Sequence, residues 1–149
     1  MKTFLFILTL AALFQTTFLP VNLCLIIIIT RSLAYEEPLN YYLALYAGII
    51  LGILSSTNLG IYGIIFLANV KLAHLLRKLP VTANVFTVVV ISFVLFLLTA
   101  FLEMIFLKNS INIQKILIES AISLPMFIII RIWEERFIVR PNVKLKIRE

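Results

Sequence analysis

YAGIILGILSSTNLGIYGIIFLANVKLAHLLRK, running from Tyr46 to Lys78, holds all four glycines of the 149-residue chain: Gly48, Gly52, Gly60 and Gly63. Two apolar segments within it are joined by the short polar break Ser55, Ser56, Thr57 and Asn58, and the pattern predicts a membrane hairpin. Gly48 and Gly52 are four apart, so on a helix they share one face and form a smooth groove where another backbone can approach. Gly60 and Gly63, three apart, are expected to do the same on the descending segment. Glycine is also commoner in membrane helices than in soluble ones, but two pairs flanking one turn favour close packing.

Composition sets the class around this hairpin. The chain is 62% hydrophobic and 13% charged, with a mean hydropathy of +1.12, more apolar surface than a soluble domain of this size can bury. An all-α integral membrane protein is expected. The formal charge of +6 does not point to nucleic acid, because the basic residues sit at the ends of apolar runs and in the tail. The single cysteine, Cys24, lies within LCLIIII and has no disulfide or zinc-type partner in sequence. No cofactor motif and no metal-ligand spacing is present.

Outward from the hairpin, six apolar segments can be drawn. The first, TFLFILTLAALFQTTFL after Lys2, resembles a secretory signal, but Phe14, Gln15 and Phe18 interrupt any small-residue cleavage site, so it is expected to stay as a first helix. Gln15, Thr16 and Thr17 mark either an interfacial helix end or hydrogen-bonding groups for another helix or a partner. After Pro20 and Asn22, Val21 to Leu33 is apolar but too short for a regular crossing of ~30 Å unless neighbours cover it or the bilayer thins. Glu36, Glu37 and Pro38 break the chain, with Pro38 priming the next helix, and Tyr41, Tyr42 and Tyr46 look like an aromatic belt.

Lys71, His74 and Lys78 are expected on one polar face, with His74 packed or interfacial rather than catalytic. Pro80 then separates off the longest apolar run, Ala83 to Leu107, with Glu103 one turn from its end. The last segment carries Lys115, Glu119, Ser123 and a kink-inducing Pro125 and ends near Arg131 and Trp133. Glu103 and Glu119, with Lys108 and Lys115, are read as charge pairing at an interface, with an intramembrane functional site as the alternative.

Charge tests the count of crossings. With the amino terminus in the cytoplasm and six crossings, eleven of the thirteen Lys and Arg fall on the cytoplasmic side, leaving only Lys108 and Lys115 outside. Five crossings would spoil that bias. The domain expectation is therefore a six-helix transmembrane unit over 1–133 and a basic cytoplasmic tail over 134–149. In the tail, Val143, Leu145 and Ile147 alternate with Lys144, Lys146 and Arg148, which suits either an added strand or a polybasic end held at anionic lipid.

FQTTFLP in the first segment, the short second segment and the hairpin AGIILGILSSTNLGIYGIIFLANVKLAHLL together resemble the MreD family of the bacterial rod-shape (elongasome) system. Where family members commonly carry Pro-Asp-Leu this chain reads Val21, Asn22, Leu23, and where they carry an acid after the second hairpin glycine it has Ser55 or Ser56. The resemblance implies a six-helix inner-membrane protein without catalysis of its own, whose bundle is similar to the substrate-binding subunits of energy-coupling-factor vitamin transporters. It also implies a partner, MreC, and association with a RodA-type glycosyltransferase and a class B penicillin-binding transpeptidase. Gly48, Gly52, Gly60 and Gly63, with Gln15, Thr16 and Thr17, are the candidate partner-binding residues. A vitamin-binding transporter subunit is the rival function. An enzyme is disfavoured, since no nucleophile-base constellation or phosphate-cradling loop appears.

Overall fold

A computed structural model describes residues 2–18, 21–56, 60–78 and 85–137. These form six helices and, among the described residues, no strand: α1 (Lys2–Thr17), α2 (Leu23–Ala34), α3 (Leu39–Leu54), α4 (Ile61–Arg77), α5 (Val85–Leu107) and α6 (Ile113–Phe137). Phe86–Leu107 of α5 and Ile113–Trp133 of α6 are long and apolar enough to cross a membrane. The other four helices are shorter. Large apolar side chains such as Phe6, Phe18, Phe86, Val90, Val94 and Leu97 lie on the outside of the bundle, an arrangement that water penalises and lipid does not.

The bundle is organised around its shortest member. α2 packs against each of the other five helices, and ten of its twelve residues, Cys24 to Leu33, are buried. Its apolar run has no amphipathic stripe because it has no outward face. Around it α1, α3, α4, α5 and α6 follow one another in that order, each touching the next. The ring is open: α1 and α6 make no contact among the described residues. At about 18 Å, α2 is too short to bridge ~30 Å of hydrocarbon by itself, and its neighbours bury it from Cys24 to Leu33.

The expected hairpin is present as α3 and α4, and its glycines divide the work. A β-carbon on Gly48 would collide with the Cα and N of Gly63 and come within 2.8 Å of the Tyr62 carbonyl carbon, so the two helices cross backbone to backbone there. Gly52 is buried on the same face of α3. Gly60 departs from the expectation of a second helical groove. It sits in the turn with φ of +105°, as the residue preceding α4, a left-handed conformation that glycine adopts without a steric penalty. Thr57 and Asn58 lie outside the described residues, as do Pro20, Pro80 and the tail 138–149.

Three other expectations change. His74 turns inward and is buried while Lys71 and Lys78 are exposed, so the three do not share a polar face. Tyr46 is no belt residue: its hydroxyl donates to Thr9 Oγ1 at 2.9 Å, since the Thr9 proton is already given to the Leu5 carbonyl at 2.8 Å. α6 runs through Pro125 as one helix, without a break there, and reaches Phe137, while its stretch long and apolar enough to cross a membrane ends at Trp133. Pro38, by contrast, stands immediately before α3 with a helical φ of −60°, as the sequence suggests.

Candidate functional site

Polar side chains gather at the two ends of α2, because its ends are where unpaired backbone groups and charge must be met inside an apolar bundle. At its carboxyl end, Arg31 is buried and its Nη2 lies 2.8 Å from Glu37 Oε2 in the loop before α3. Nη1 donates to Asn40 Oδ1 at the start of α3. The guanidinium also sits over the Phe4 ring of α1, 4.8 Å from its centroid. Asn40 Nδ2 donates to the Tyr35 carbonyl at 2.7 Å and to His74 Nε2 at 3.1 Å, so that nitrogen of His74 is an acceptor and the imidazole is neutral. Tyr41 meets the His74 ring edge-on. The cation ties α1, α2 and α3 together, Asn40 carries the link on to α4, and Arg31 lies in the last turn of α2 where the helix dipole favours it.

At the amino end of α2 the capping comes from other helices. Asn22 offers no side-chain cap to its own helix. Its backbone N–H donates instead to Glu119 Oε1 on α6 at 2.7 Å, and the Cys24 N–H donates to Gln15 Oε1 on α1 at 3.1 Å. Gln15 Nε2 in turn donates to Asn22 Oδ1 at 2.9 Å. Glu119 is 4% exposed and pairs with Lys115, whose Nζ is 3.8 Å away, so the expected charge pairing is present between these two with its carboxylate buried in the bundle. Beside it a cavity of about 240 Å³ opens between α2, α5 and α6, lined by Thr99, Glu103, Asn112, Lys115 and Glu119 with Phe96 and Ile116 on its apolar wall.

A second recess, about 250 Å³ and wholly apolar, occupies the break in the ring. Phe4 and Ile7 of α1, Ile27 of α2, and Met126, Ile129, Ile130 and Trp133 of α6 line it.

Of the residues singled out in sequence, Gly48 and Gly63 meet each other within the chain, Gly60 makes the turn, and Gln15 caps α2. Thr16 and Thr17 are exposed and bond to carbonyls of their own helix, Ala12 and Leu13. They are not brought together with the glycines. The sequence reading missed Arg31, counted there only as a flanking charge, and Asn69, which donates to Thr99 Oγ1 at 2.9 Å and ties α4 to α5. An asparagine inside the apolar run FLANVKLA was a usable signal, since polar groups at that depth need a partner.

No family model matches the chain, and no curated protein or solved structure matches it either.

Proposed function

We propose that the chain is a six-crossing inner-membrane scaffold that holds a single transmembrane helix of a partner protein in the break of its helix ring. The observation that carries this reading is the order of helices around α2. Cylinders of equal width pack roughly six around one, with helix axes 8–10 Å apart. This chain supplies five, and the place between α6 and α1 is an apolar recess floored by Ile27. Packing there would be van der Waals contact between apolar faces, as association in lipid requires.

The resemblance to MreD names the partner as MreC, and the larger assembly as the rod-shape peptidoglycan synthase with its RodA-type glycosyltransferase and class B penicillin-binding transpeptidase. With both termini in the cytoplasm, the Arg31 end faces the cytoplasm and the Glu119 end faces outward, in keeping with eleven basic residues against two. Because Gly48 is already engaged by Gly63, the docking surface is assigned to the α1–α6 seam rather than to that crossing.

Co-expression with MreC from the same organism tests this. A complex should survive detergent purification in high salt, since its contacts are apolar. Ile129→Trp, which fills the recess from a partly exposed position, should release MreC without unfolding the bundle. Failure of the unaltered chain to retain MreC would sink the proposal. The cavity between α2, α5 and α6 gives the rival its footing; a vitamin identified by mass spectrometry in a chain that ignores MreC would favour the transporter subunit.

A further inference from the structure

The cavity beside Glu119 holds one carboxyl group more than the chain pairs. Two carboxylates, Glu103 and Glu119, face it against one ammonium, Lys115. Glu119 is provided for, by the Asn22 N–H at 2.7 Å and by Lys115 at 3.8 Å. Glu103 is not: among the described residues it makes no hydrogen bond and no ion pair, although it stands on an apolar helix one turn from its end. A carboxyl group so placed is held by its own proton when nothing else is bound, and a cation from elsewhere would hold it ionised.

We propose that this cavity is a binding site for a small organic ammonium ion, with Glu103 as its counter-ion. A singly charged cation balances the one carboxylate left over, and an anion would meet two carboxylates. The volume of about 240 Å³ is far larger than a bare metal ion needs and suits a molecule somewhat smaller than a drug-sized ligand. Among the described residues no group of three acidic, histidine or cysteine side chains is placed to hold a metal. The lining is divided as an amphiphilic amine would need. Thr99 and Asn112 offer acceptors near the carboxylates, while Phe96 and Ile116 provide a wall for a hydrocarbon body, and an aromatic ring beside a cation adds to its attraction. Behind Thr99 stands Asn69, fully buried, whose Nδ2 donates to Thr99 Oγ1 at 2.9 Å and holds that hydroxyl in place. The site lies at the amino end of α2, shares no lining residue with the recess of the α1–α6 seam, and does not depend on the docking proposal.

The test uses the full chain in lipid nanodiscs and three probes of nearly equal shape: 2-phenylethylamine, 2-phenylethanol and phenylacetate. Equilibrium dialysis should show saturable binding of the amine, at least about tenfold tighter than the alcohol, and none of the anion. Glu103→Gln, which removes charge but no hydrogen bond, should bring amine affinity down to that of the alcohol with an unchanged melting temperature. Lys115→Met, which removes the competing ammonium, should tighten amine binding. Equal binding of amine and alcohol, undiminished amine binding in Glu103→Gln, or no saturable binding of the amine would each overturn the proposal. An aminophospholipid headgroup offers the same chemistry as a free amine. Inhibition of probe binding only in nanodiscs containing phosphatidylethanolamine would identify the headgroup as the occupant, and indifference to that lipid would identify a free amine.

Discussion

Arg31 and Glu37 form a lopsided pair: 2.8 Å apart, the arginine is 2% exposed and the glutamate 45%. Removing either partner therefore has unequal consequences. Glu37 left alone can be solvated, but Arg31 without Glu37 keeps Asn40 and the Phe4 ring while losing a carboxylate that balances its buried charge. We expect Glu37→Ala to cost about 1–3 kcal/mol, discounted from a fully buried pair because the carboxylate is half in solvent. Arg31→Met, which keeps the packing against Phe4 and leaves no buried charge, should cost less. Equilibrium unfolding in mixed detergent micelles measures both, and the reverse order would show that Arg31 is stabilised mainly by its neutral contacts.

The Gly48–Gly63 crossing gives a second asymmetry. A β-carbon on Gly48 points into the partner backbone, whereas one on Gly63 meets nothing within 4 Å. Gly48→Ala should destabilise by about 1–3 kcal/mol, since the collision is with backbone that cannot turn aside. Gly63→Ala should be neutral or gain about 0.5–1 kcal/mol from its better helix propensity. Thermal melts of the two variants side by side decide it; equal behaviour would mean that the helices do not cross at this point.

At the other end of α2, Glu119 matters as an acceptor more than as a charge. Glu119→Gln retains a carbonyl oxygen for the Asn22 N–H and should stay within about 1 kcal/mol of the parent, whereas Glu119→Leu strands that buried donor and should cost about 1–3 kcal/mol. Hydrogen exchange at the start of α2 gives an independent readout, with faster exchange expected only in the leucine variant.

Six helical segments, the turn after Ser55 and the start of α3 behind Pro38 were legible in sequence, because each depends on local chemistry: apolar length, glycine, proline. What each residue faces was not. Spacing alone puts His74 with Lys71 and Lys78, but Asn40 and Tyr41 from a different helix draw it inward. Likewise the charge of Arg31 can be counted from the sequence, yet its burial follows from α2 being enclosed on every side, and a run as uniform as LCLIIII has no periodicity to reveal that. The glycine spacing suggests a groove for a partner's helix, whereas Gly48 meets Gly63 of the same chain.

Orientation in the membrane can be checked with single cysteines in a Cys24→Ser background. On the proposed topology Asn109→Cys should react with an impermeant thiol reagent added to intact cells, and Arg136→Cys should react only after the membrane is opened. Labelling of both from outside, or of neither, would rule out six crossings with an internal amino terminus.

Nine residues separate Asn22 from Arg31, about 14 Å of helix, yet a bilayer's hydrocarbon is about 30 Å thick. On the proposed topology, the wholly apolar layer between the polar groups at the two ends of α2 is about half as thick as the lipid around it. Transmembrane voltage falls more steeply across a thinner insulator, and Glu119 and Arg31 stand at its two edges. With about 2.3 kcal/mol available per 100 mV for each charge carried fully across, the proposed topology makes this short layer the place where a membrane potential would act most strongly on the bundle's buried charges.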